Sequence, residues 1–186
     1  MLMERHLVEH CSPTLASLKT ANLFNHSYSS EEELEKEMAD LNECLSGKGV
    51  TLMLLYKRRN KALIYVYRKN RLQADLNRSG VAEFLKSYGY EAMEAGAALE
   101  VLKERLKREE EGVFPHEIGI FLGYPLGDVT GFIQNEGRNC KCLGCWKVYC
   151  DECEAVKTFA RYEKCRAAYS RLWQNGRSVR QLTVAA

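Results

Sequence analysis

The sequence predicts an α+β protein in which helices pack on a small, mostly antiparallel sheet of about four strands. Apolar residues recur at helical spacing after Ser30 and again after Asp151. Between them, two β-rich runs are joined by a short polar segment. The chain of 186 residues can bury one sizeable core, so we expect a single domain spanning residues 1–186.

The segment before the β-rich runs is predicted to hold helices and an irregular stretch. Ser12-Pro13 is typical of a helix start, since serine caps a helix and proline fits its first turn. Residues 22–26 are expected to be irregular. Ser30 and Glu33 form a capping-box pattern, and the apolar stripe that follows predicts a helix ending at the glycines of residues 47–49.

The β-rich runs, residues 50–57 and 62–68, predict an antiparallel hairpin. Residues 51–56 are apolar at nearly every position, so we expect both faces of this strand to be covered by helices. Three helical segments are predicted to follow the hairpin, at residues 72–76, 81–88 and 91–108.

The last third of the chain predicts two strands and two helices before a final turn capped by Ser178. The run HEIGIFLG after Pro115 is strand-like, residues 125–134 predict a short helix, and CWKVYC predicts a second strand. The longest helix is expected over residues 151–175, with five side chains pointing inward: Ala155, Phe159, Tyr162, Tyr169 and Leu172.

The formal net charge of +2 conceals a basic block. Residues 50–73 hold seven Lys and Arg residues and no acid, and tyrosines alternate with these cations from Tyr56 to Arg71. Such a surface can bind nucleic acid, with cations for phosphates and rings for bases. Solvated ends of a hairpin, with the tyrosines as sheet residues, are the simpler explanation. Because the pI is about 8.1, below the value above 9 typical of nucleic-acid domains, we expect no nucleic-acid partner.

The sequence favours a soluble, cytoplasmic protein with no membrane partner. No stretch approaches the ~20 apolar residues that span a bilayer, and the charged opening of residues 1–6 lacks the apolar run of a signal peptide. Disulfides are rare in a reducing compartment, so the eight cysteines are expected to be metal ligands, catalytic groups or inert thiols.

Five cysteines cluster near the C-terminal helix, at positions 140, 142, 145, 150 and 153. A strand over residues 146–149 would hold Cys145 and Cys150 about 16 Å apart, too far for one four-cysteine zinc site. We therefore expect no metal; the alternative is that Cys140, Cys142 and Cys145 are three ligands of a site completed from elsewhere in the chain. Cys142 and Cys145 could instead form a thiol pair that exchanges with a disulfide, and Cys11, beside the predicted helix start, could have a lowered thiol pKa.

The second candidate site surrounds HEIGIFLGYP. In a strand, Gly119 and Gly123 would share a face, and glycines within strands mark close approach by another backbone or a ligand. Packing of the long C-terminal helix on that face is the alternative. The helix after Pro125 could receive an anion at its N-terminus, or Asp128 could cap it. The candidate ligand-binding residues are His116, Glu117, Gly119, Gly123, Tyr124, Lys19 and Lys147.

Four strings carry a family resemblance: FPHEIGIFLGYPLGDVTGFI from residue 114, GCWKVY from 144, HCSPTLASLKTANLF from 10 and NGRSVRQLTV from 175. With these strings the chain resembles an uncharacterised bacterial family, typical of anaerobic firmicutes and classed only as a domain of unknown function. The resemblance implies a link to redox or iron physiology and no established activity.

Three hypotheses for the function follow. The first is a binding or accessory protein for a small molecule or cofactor. The second is a thiol-dependent redox enzyme that uses Cys142 and Cys145, or Cys11, and acts on a partner protein. The third is a nucleic-acid-binding module that uses the basic hairpin. Sequence patterns leave the identity of any cofactor, the strand order and the oligomeric state open.

Overall fold

A three-stranded antiparallel sheet forms the centre of the protein in the computed structural model, which describes residues 2–108 and 114–185. Its strands are β1 (Ala21–Ser27), β2 (Thr51–Arg58) and β3 (Lys61–Tyr67), and β3 lies between the other two. A second, two-stranded ribbon pairs β4 (Cys142–Leu143) with β5 (Lys147–Val148). The predicted α+β class is therefore confirmed, with five strands in two sheets among the described residues.

Helices cover this sheet, and their bounds agree with most of the predicted segments. None of those in the described ranges is long and apolar enough to cross a membrane. In chain order they are α1 (Leu2–Leu15), α2 (Glu31–Ser46), α3 (Lys69–Leu76), α4 (Val81–Lys86), α5 (Ala95–Lys107), α6 (Ile118–Phe121), α7 (Leu126–Gln134), α8 (Glu152–Gln174) and α9 (Val179–Leu182).

The sheet separates two hydrophobic cores, which confirms that both faces of the first hairpin strand are covered. Ile64 and Val66 of β3 face a core formed with α1, α2 and α9, whereas Tyr65 faces a core formed with α3 to α7. In β2 the register shifts between Leu54 and Tyr56, which leaves Leu55 unpaired and buried in the second core. Ser30 is confirmed as the N-cap of α2, since its side chain accepts a hydrogen bond from the amide of Glu33, but the capping box is incomplete because the Glu33 carboxylate accepts from the amide of Ser29 instead of that of Ser30.

Two predictions for the first 30 residues are wrong. Residues 22–26 are part of β1, because pairing with β3 stabilises a strand whose polar Asn22 and Asn25 obscure the alternation of its buried side chains. The expected helix start at Ser12-Pro13 lies inside α1. A proline near the end of a helix disturbs few backbone hydrogen bonds, and burial of residues 11–15 holds this turn against the core.

The HEIGIFLG segment is the short helix α6 and not a strand. All four residues of α6 are buried, and a short apolar run of this kind cannot be distinguished from a buried helix by its periodicity. The second predicted strand, CWKVYC, shortens to the two residues of β5. The predicted long helix is confirmed as α8, capped by Asp151, but Leu172 is 40% exposed instead of inward-facing.

The guanidinium of Arg68, at the end of β3, joins distant parts of the chain. Arg68 is only 2% exposed. Its nitrogens donate to the carbonyl oxygens of Thr14 (2.7 Å), Leu15 (2.8 Å), Lys48 (3.2 Å) and Val184 (2.7 Å). One side chain therefore fixes the end of α1, the loop before β2 and the segment after α9.

We expect Arg68→Lys to lower the free energy of unfolding by about 3 kcal/mol, because one ammonium group cannot reach four carbonyl oxygens and leaves buried acceptors unsatisfied. Urea unfolding followed by circular dichroism measures the loss. The exposed Arg58 provides the control, since Arg58→Lys is expected to change stability by less than about 0.5 kcal/mol. Equal stability of the Arg68→Lys and wild-type proteins would contradict the structural role of Arg68.

Candidate functional site

Two adjacent cavities lie where α6, α7 and the β4–β5 ribbon meet the turn after α1, and Asp128 and Trp146 line both. We call the first, of about 320 Å³, the aromatic cleft; its principal lining residues are Phe114, His116, Tyr124, Phe132, Trp146 and Lys147. We call the second, of about 260 Å³, the basic cleft; its principal lining residues are Lys19, Thr20, Arg71, Arg78, Arg161 and Tyr162.

Ring side chains form the walls of the aromatic cleft. The rings of Tyr124 and Trp146 stack with centroids 4.8 Å apart, and the His116 ring lies 5.0 Å from Phe132 and 5.6 Å from Phe114. Lys147 adds one cation, whose Nζ donates to the carbonyl oxygen of Gly137 at 2.7 Å. The cleft therefore combines an apolar, ring-lined interior with a cation at its edge.

The carboxylate of Asp128 holds the ribbon that carries Trp146. It is 3% exposed. Its Oδ2 accepts a hydrogen bond from the indole Nε1 of Trp146 at 2.7 Å, and its Oδ1 accepts from the amides of Tyr149 and Cys150, both at 2.8 Å. Asp128 lies in the first turn of α7 but does not cap it, since the N-cap position belongs to Pro125. Its carboxylate instead fixes one wall of each cleft.

The two glycines of the HEIGIFLGYP segment allow close packing between chain segments. A Cβ atom on Gly119 would lie 2.7 Å from Val129 and 3.2 Å from Tyr124. Gly123 has a φ of +79°, and its Cβ would lie 2.8 Å from the hydroxyl oxygen of Thr20. The predicted alternative, coverage by the long C-terminal helix, is therefore wrong for both positions. Gly119 lines the aromatic cleft and Gly123 lines the basic cleft.

Glu117 lies outside the cleft linings. It is 1% exposed, and its Oε1 accepts hydrogen bonds from the guanidinium of Arg105 and from the hydroxyl of Tyr90, the latter at 3.1 Å. These contacts attach α6 to α5. Of the seven candidate ligand-binding residues, the structure places His116, Gly119, Tyr124 and Lys147 around the aromatic cleft. Lys19 and Gly123 line the neighbouring basic cleft.

Lys19 is a buried cation in the turn after α1. Only 6% of the residue is exposed, and its Nζ lies 5.1 Å from the ring centroid of Tyr124. Within residues 2–108 and 114–185, no hydrogen-bond acceptor or carboxylate pairs with this ammonium group. Burial lowers the pKa of Lys19 to about 8, while the nearby Cys11 and Cys145 thiols act in the opposite direction. Among the described residues, every fully buried side-chain nitrogen or oxygen has a hydrogen-bond partner, so the Lys19 ammonium group is not completely enclosed and reaches the basic cleft.

The other cations of the basic cleft have partners of different kinds. Arg78 pairs with Asp75 at 2.6 Å. Arg71 donates to the carbonyl oxygen of Ser17, and Arg161 donates to the hydroxyl of Thr158 at 3.0 Å. Arg71 and Arg161 therefore have neutral partners.

The cysteine predictions have mixed outcomes. Cys11 lies inside α1 and is fully buried, and this burial raises its thiol pKa, so the expected lowered pKa is wrong. Cys145 lies in the turn between β4 and β5, where a guanidinium nitrogen of Arg166 approaches its sulfur at 3.6 Å. Burial and the nearby Glu152 raise the pKa of Cys142.

All eight cysteines belong to the described residues, and each is a free thiol. The long strand that was expected to separate Cys145 from Cys150 is absent from this part of the chain, since β5 has only two residues. In the portion that the structure describes, no group of three or more His, Cys, Asp or Glu side chains lies close enough together to hold a metal ion.

The basic block is divided between different structural elements. Arg58, Arg59 and Lys61 are exposed at the tip of the hairpin, as expected. Lys57 pairs at 2.8 Å with Glu31 of the acidic α2. Arg68 and Arg71 instead hold the turn after α1.

Sequence patterns did not single out Phe132, Trp146 or Arg161 as site residues. The sequence did contain one signal that the ribbon packs on α7. Gly127 and Gly131 are four residues apart and therefore share a face of this helix. A Cβ atom at either position would clash with Cys150 or Tyr149, so this face receives the chain after β5. The spacing of these glycines predicts close packing, but it does not identify the partner segment.

We expect Lys19→Met to be more stable than the wild-type protein by up to about 3 kcal/mol at pH 7, because methionine fills the space without burying a charge. An unfolded lysine titrates near pH about 10.4. Between pH 8 and this value the unfolded wild type binds more protons than the folded one, so its free energy of unfolding rises with pH. The difference between the two proteins should therefore shrink across this window.

Urea unfolding of both proteins at several pH values tests this expectation. Because all other titrating groups are common to the two chains, only the difference between the curves is interpreted. A Lys19→Met protein less stable than the wild type at pH 7 would show that the ammonium group has a structural partner.

We expect Asp128→Ala to lower the free energy of unfolding by about 3 kcal/mol, because three N–H groups lose a buried, charged acceptor. In a Trp173→Phe background, the emission of Trp146 should also shift to the red as the indole gains contact with water. Asp151→Ala is the control, since loss of this helix cap costs about 1 kcal/mol and leaves the Trp146 hydrogen bond intact. An unshifted emission spectrum for Asp128→Ala would contradict the anchoring role.

Comparison with known proteins identifies a family but no activity. Neither a curated protein nor a solved structure matches this chain. A family model described as a protein of unknown function (DUF3793) matches residues 7–183. This match confirms the resemblance to a family of unknown function, and the chain therefore belongs to the DUF3793 family.

Proposed function

We propose that this protein binds a small molecule that carries a flat, mostly apolar ring system, and that the aromatic cleft is the binding site. The observation that carries the proposal is the cavity of about 320 Å³ with five ring side chains in its lining. Ligand cavities commonly measure roughly 300–1,000 Å³ and combine aromatic walls with few polar groups. The aromatic cleft has this size and this composition.

Two side chains can orient a bound ring system by polar contacts. Lys147 uses one N–H for Gly137 and retains others for a negatively charged or carbonyl substituent. His116 is exposed, and within the described residues its ring nitrogens form no hydrogen bond, so they can pair with a ligand. A flat molecule with one acceptor or anionic group fits this arrangement best.

The arrangement favours binding without implying a reaction. Glu117, the acid nearest to His116 in sequence, is committed to Arg105 and Tyr90. Asp128 accepts three hydrogen bonds from protein groups. Neither carboxylate is placed as a general base for a molecule in the cleft. A binding or accessory role in bacterial redox or iron physiology, within the cytoplasm, is consistent with this chemistry.

A second candidate function is thiol chemistry at Cys145. The guanidinium of Arg166 lies 3.6 Å from the Cys145 sulfur, so a cation is positioned beside this thiol. Cys142 precedes the same turn and could supply the second thiol of an exchange reaction. Faster alkylation of Cys145 than of Cys142 by iodoacetamide, abolished by Arg166→Gln, would favour this function.

We expect Phe132→Ala to weaken binding of 1-anilinonaphthalene-8-sulfonate, a flat ring probe with one anionic group, by about 3- to 10-fold. The estimate follows from the loss of one ring contact worth roughly 0.5–1.5 kcal/mol. Probe fluorescence during titration measures the affinity, and circular dichroism checks that the variant remains folded.

Phe84→Ala is the matched control, since Phe84 of α4 contacts Tyr88 and lies outside the lining of the aromatic cleft. Its affinity for the probe should equal that of the wild type.

Lys147→Met should weaken binding of the sulfonate probe more than binding of neutral riboflavin. Unchanged affinity of Phe132→Ala for the probe, or equal losses of affinity in Phe132→Ala and Phe84→Ala, would contradict the assignment of the aromatic cleft as the binding site.

A further inference from the structure

We propose that the basic cleft is a second binding site, which takes a small anion: the carboxylate or phosphate group of a small molecule. Lys19 is the cation at its base, and Arg71 and Arg161 are further cations in its lining. This inference concerns a different cavity from the aromatic cleft and does not depend on what that cleft binds.

The first support is the missing partner of Lys19. Its ammonium group has three N–H donors, yet within the described residues its neighbours are the ring of Tyr124 and the thiols of Cys11 and Cys145, none of which accepts a hydrogen bond from it, and the residue is 6% exposed. Buried charges in proteins are normally paired or hydrogen-bonded. Arg68 in the same protein follows that rule, with four carbonyl partners. A ligand anion would supply Lys19 with the contacts that the described protein groups do not provide.

The second support is the imbalance between the cations and the acids of the cleft. In the part of the chain that the structure describes, Lys19, Arg71 and Arg161 have no carboxylate partner. The acids of the cleft, by contrast, are already engaged by donors from the protein: Asp128 by three N–H groups, Asp151 by the amide of Glu154, and Glu154 by Lys157 at 2.7 Å. An N–H donor does not cancel a carboxylate charge, so Asp128 and Asp151 remain negative, and the lining carries only a small excess of positive charge.

The cavity is suited to a small molecule and not to a single water or a macromolecule. Its volume of about 260 Å³ lies just below the usual range of ligand sites. Arginine presents paired N–H donors that match both carboxylate and phosphate geometry, while lysine acts as a point charge. Carboxylate and phosphate ligands therefore share the feature that the cleft recognises, a compact anionic group. The cavity also has space for a small organic part attached to that group.

Anion binding should depend on the protonation of Lys19. The charged and titratable groups around it are Cys11 of α1, the phenol of Tyr124, Cys145 of the ribbon turn and Arg166 of α8. Because burial lowers the pKa of Lys19 to about 8, the ammonium form is lost above that pH in the empty cleft. Affinity should therefore fall as pH rises above 8, approaching tenfold per pH unit, while the arginines remain charged.

The test uses the Trp173→Phe protein, in which Trp146 is the only tryptophan and reports from the wall of the basic cleft. Inorganic phosphate and succinate are titrated separately at constant ionic strength and pH 7, and the emission of Trp146 is recorded. We expect saturable binding of at least one anion. Saturation by phosphate alone identifies a phosphate group as the ligand feature, and saturation by succinate alone identifies a carboxylate.

Two variants then connect the binding to the cleft. Lys19→Met should weaken binding at least tenfold and remove the fall in affinity between pH 8 and 9. Lys164→Met, which removes an exposed lysine of α8 that lies outside both cleft linings, should bind as the parent protein does. The aromatic probe and Phe132→Ala provide a separate readout for the other cleft, so failure of one assignment does not imply failure of the other.

The proposal is overturned if neither anion gives a saturable change in the emission of Trp146. It is also overturned if the Lys19→Met protein, shown to be folded by circular dichroism, binds with unchanged affinity and unchanged pH dependence.

Discussion

The buried guanidinium of Arg68 is the interaction on which the position of the candidate site depends. It bonds to the last carbonyl oxygens of α1 and to the segment after α9, although it lies at the end of the central strand. Immediately after α1 the chain turns through Ser17, which has a φ of +58°. Arg71 holds the same turn by donating to the Ser17 carbonyl oxygen. The place of Lys19 in the basic cleft therefore follows from contacts made by the β3–α3 junction.

The shared wall of the two clefts depends on a second buried charge. A ribbon of two residue pairs cannot be stable alone, so the position of Trp146 must come from contacts with α7. Asp128 supplies three hydrogen bonds, and Gly127 and Gly131 let the chain after β5 approach closely. Because these hydrogen bonds occupy the Asp128 carboxylate, polar contacts with a ligand in either cleft must come from other side chains.

The sequence predicted the hairpin, α2 and α8 because caps and periodicity are local signals, and it failed where tertiary contacts decide. In HEIGIFLG every residue of α6 is buried, so no polar face revealed its period. The block from Tyr56 to Arg71 reads as uniformly basic, yet Arg58 is exposed while Arg68 is buried among carbonyl groups. Lys19 and Tyr124 were predicted site residues, but no local pattern showed that they contact each other.

The contrast among the buried charges is the strongest reason to regard Lys19 as functional. Arg68, Glu117 and Asp128 are almost completely buried, and each has protein partners whose contacts offset its loss of hydration. Lys19 is 6% exposed, and its ammonium group reaches the basic cleft with the ring of Tyr124 and the thiols of Cys11 and Cys145 nearby but no hydrogen-bond acceptor among the described residues. Natural proteins keep such destabilising arrangements mainly at functional sites, where a ligand supplies the missing contacts. Methionine could fill the same space without a charge, so packing alone does not account for a lysine at this position.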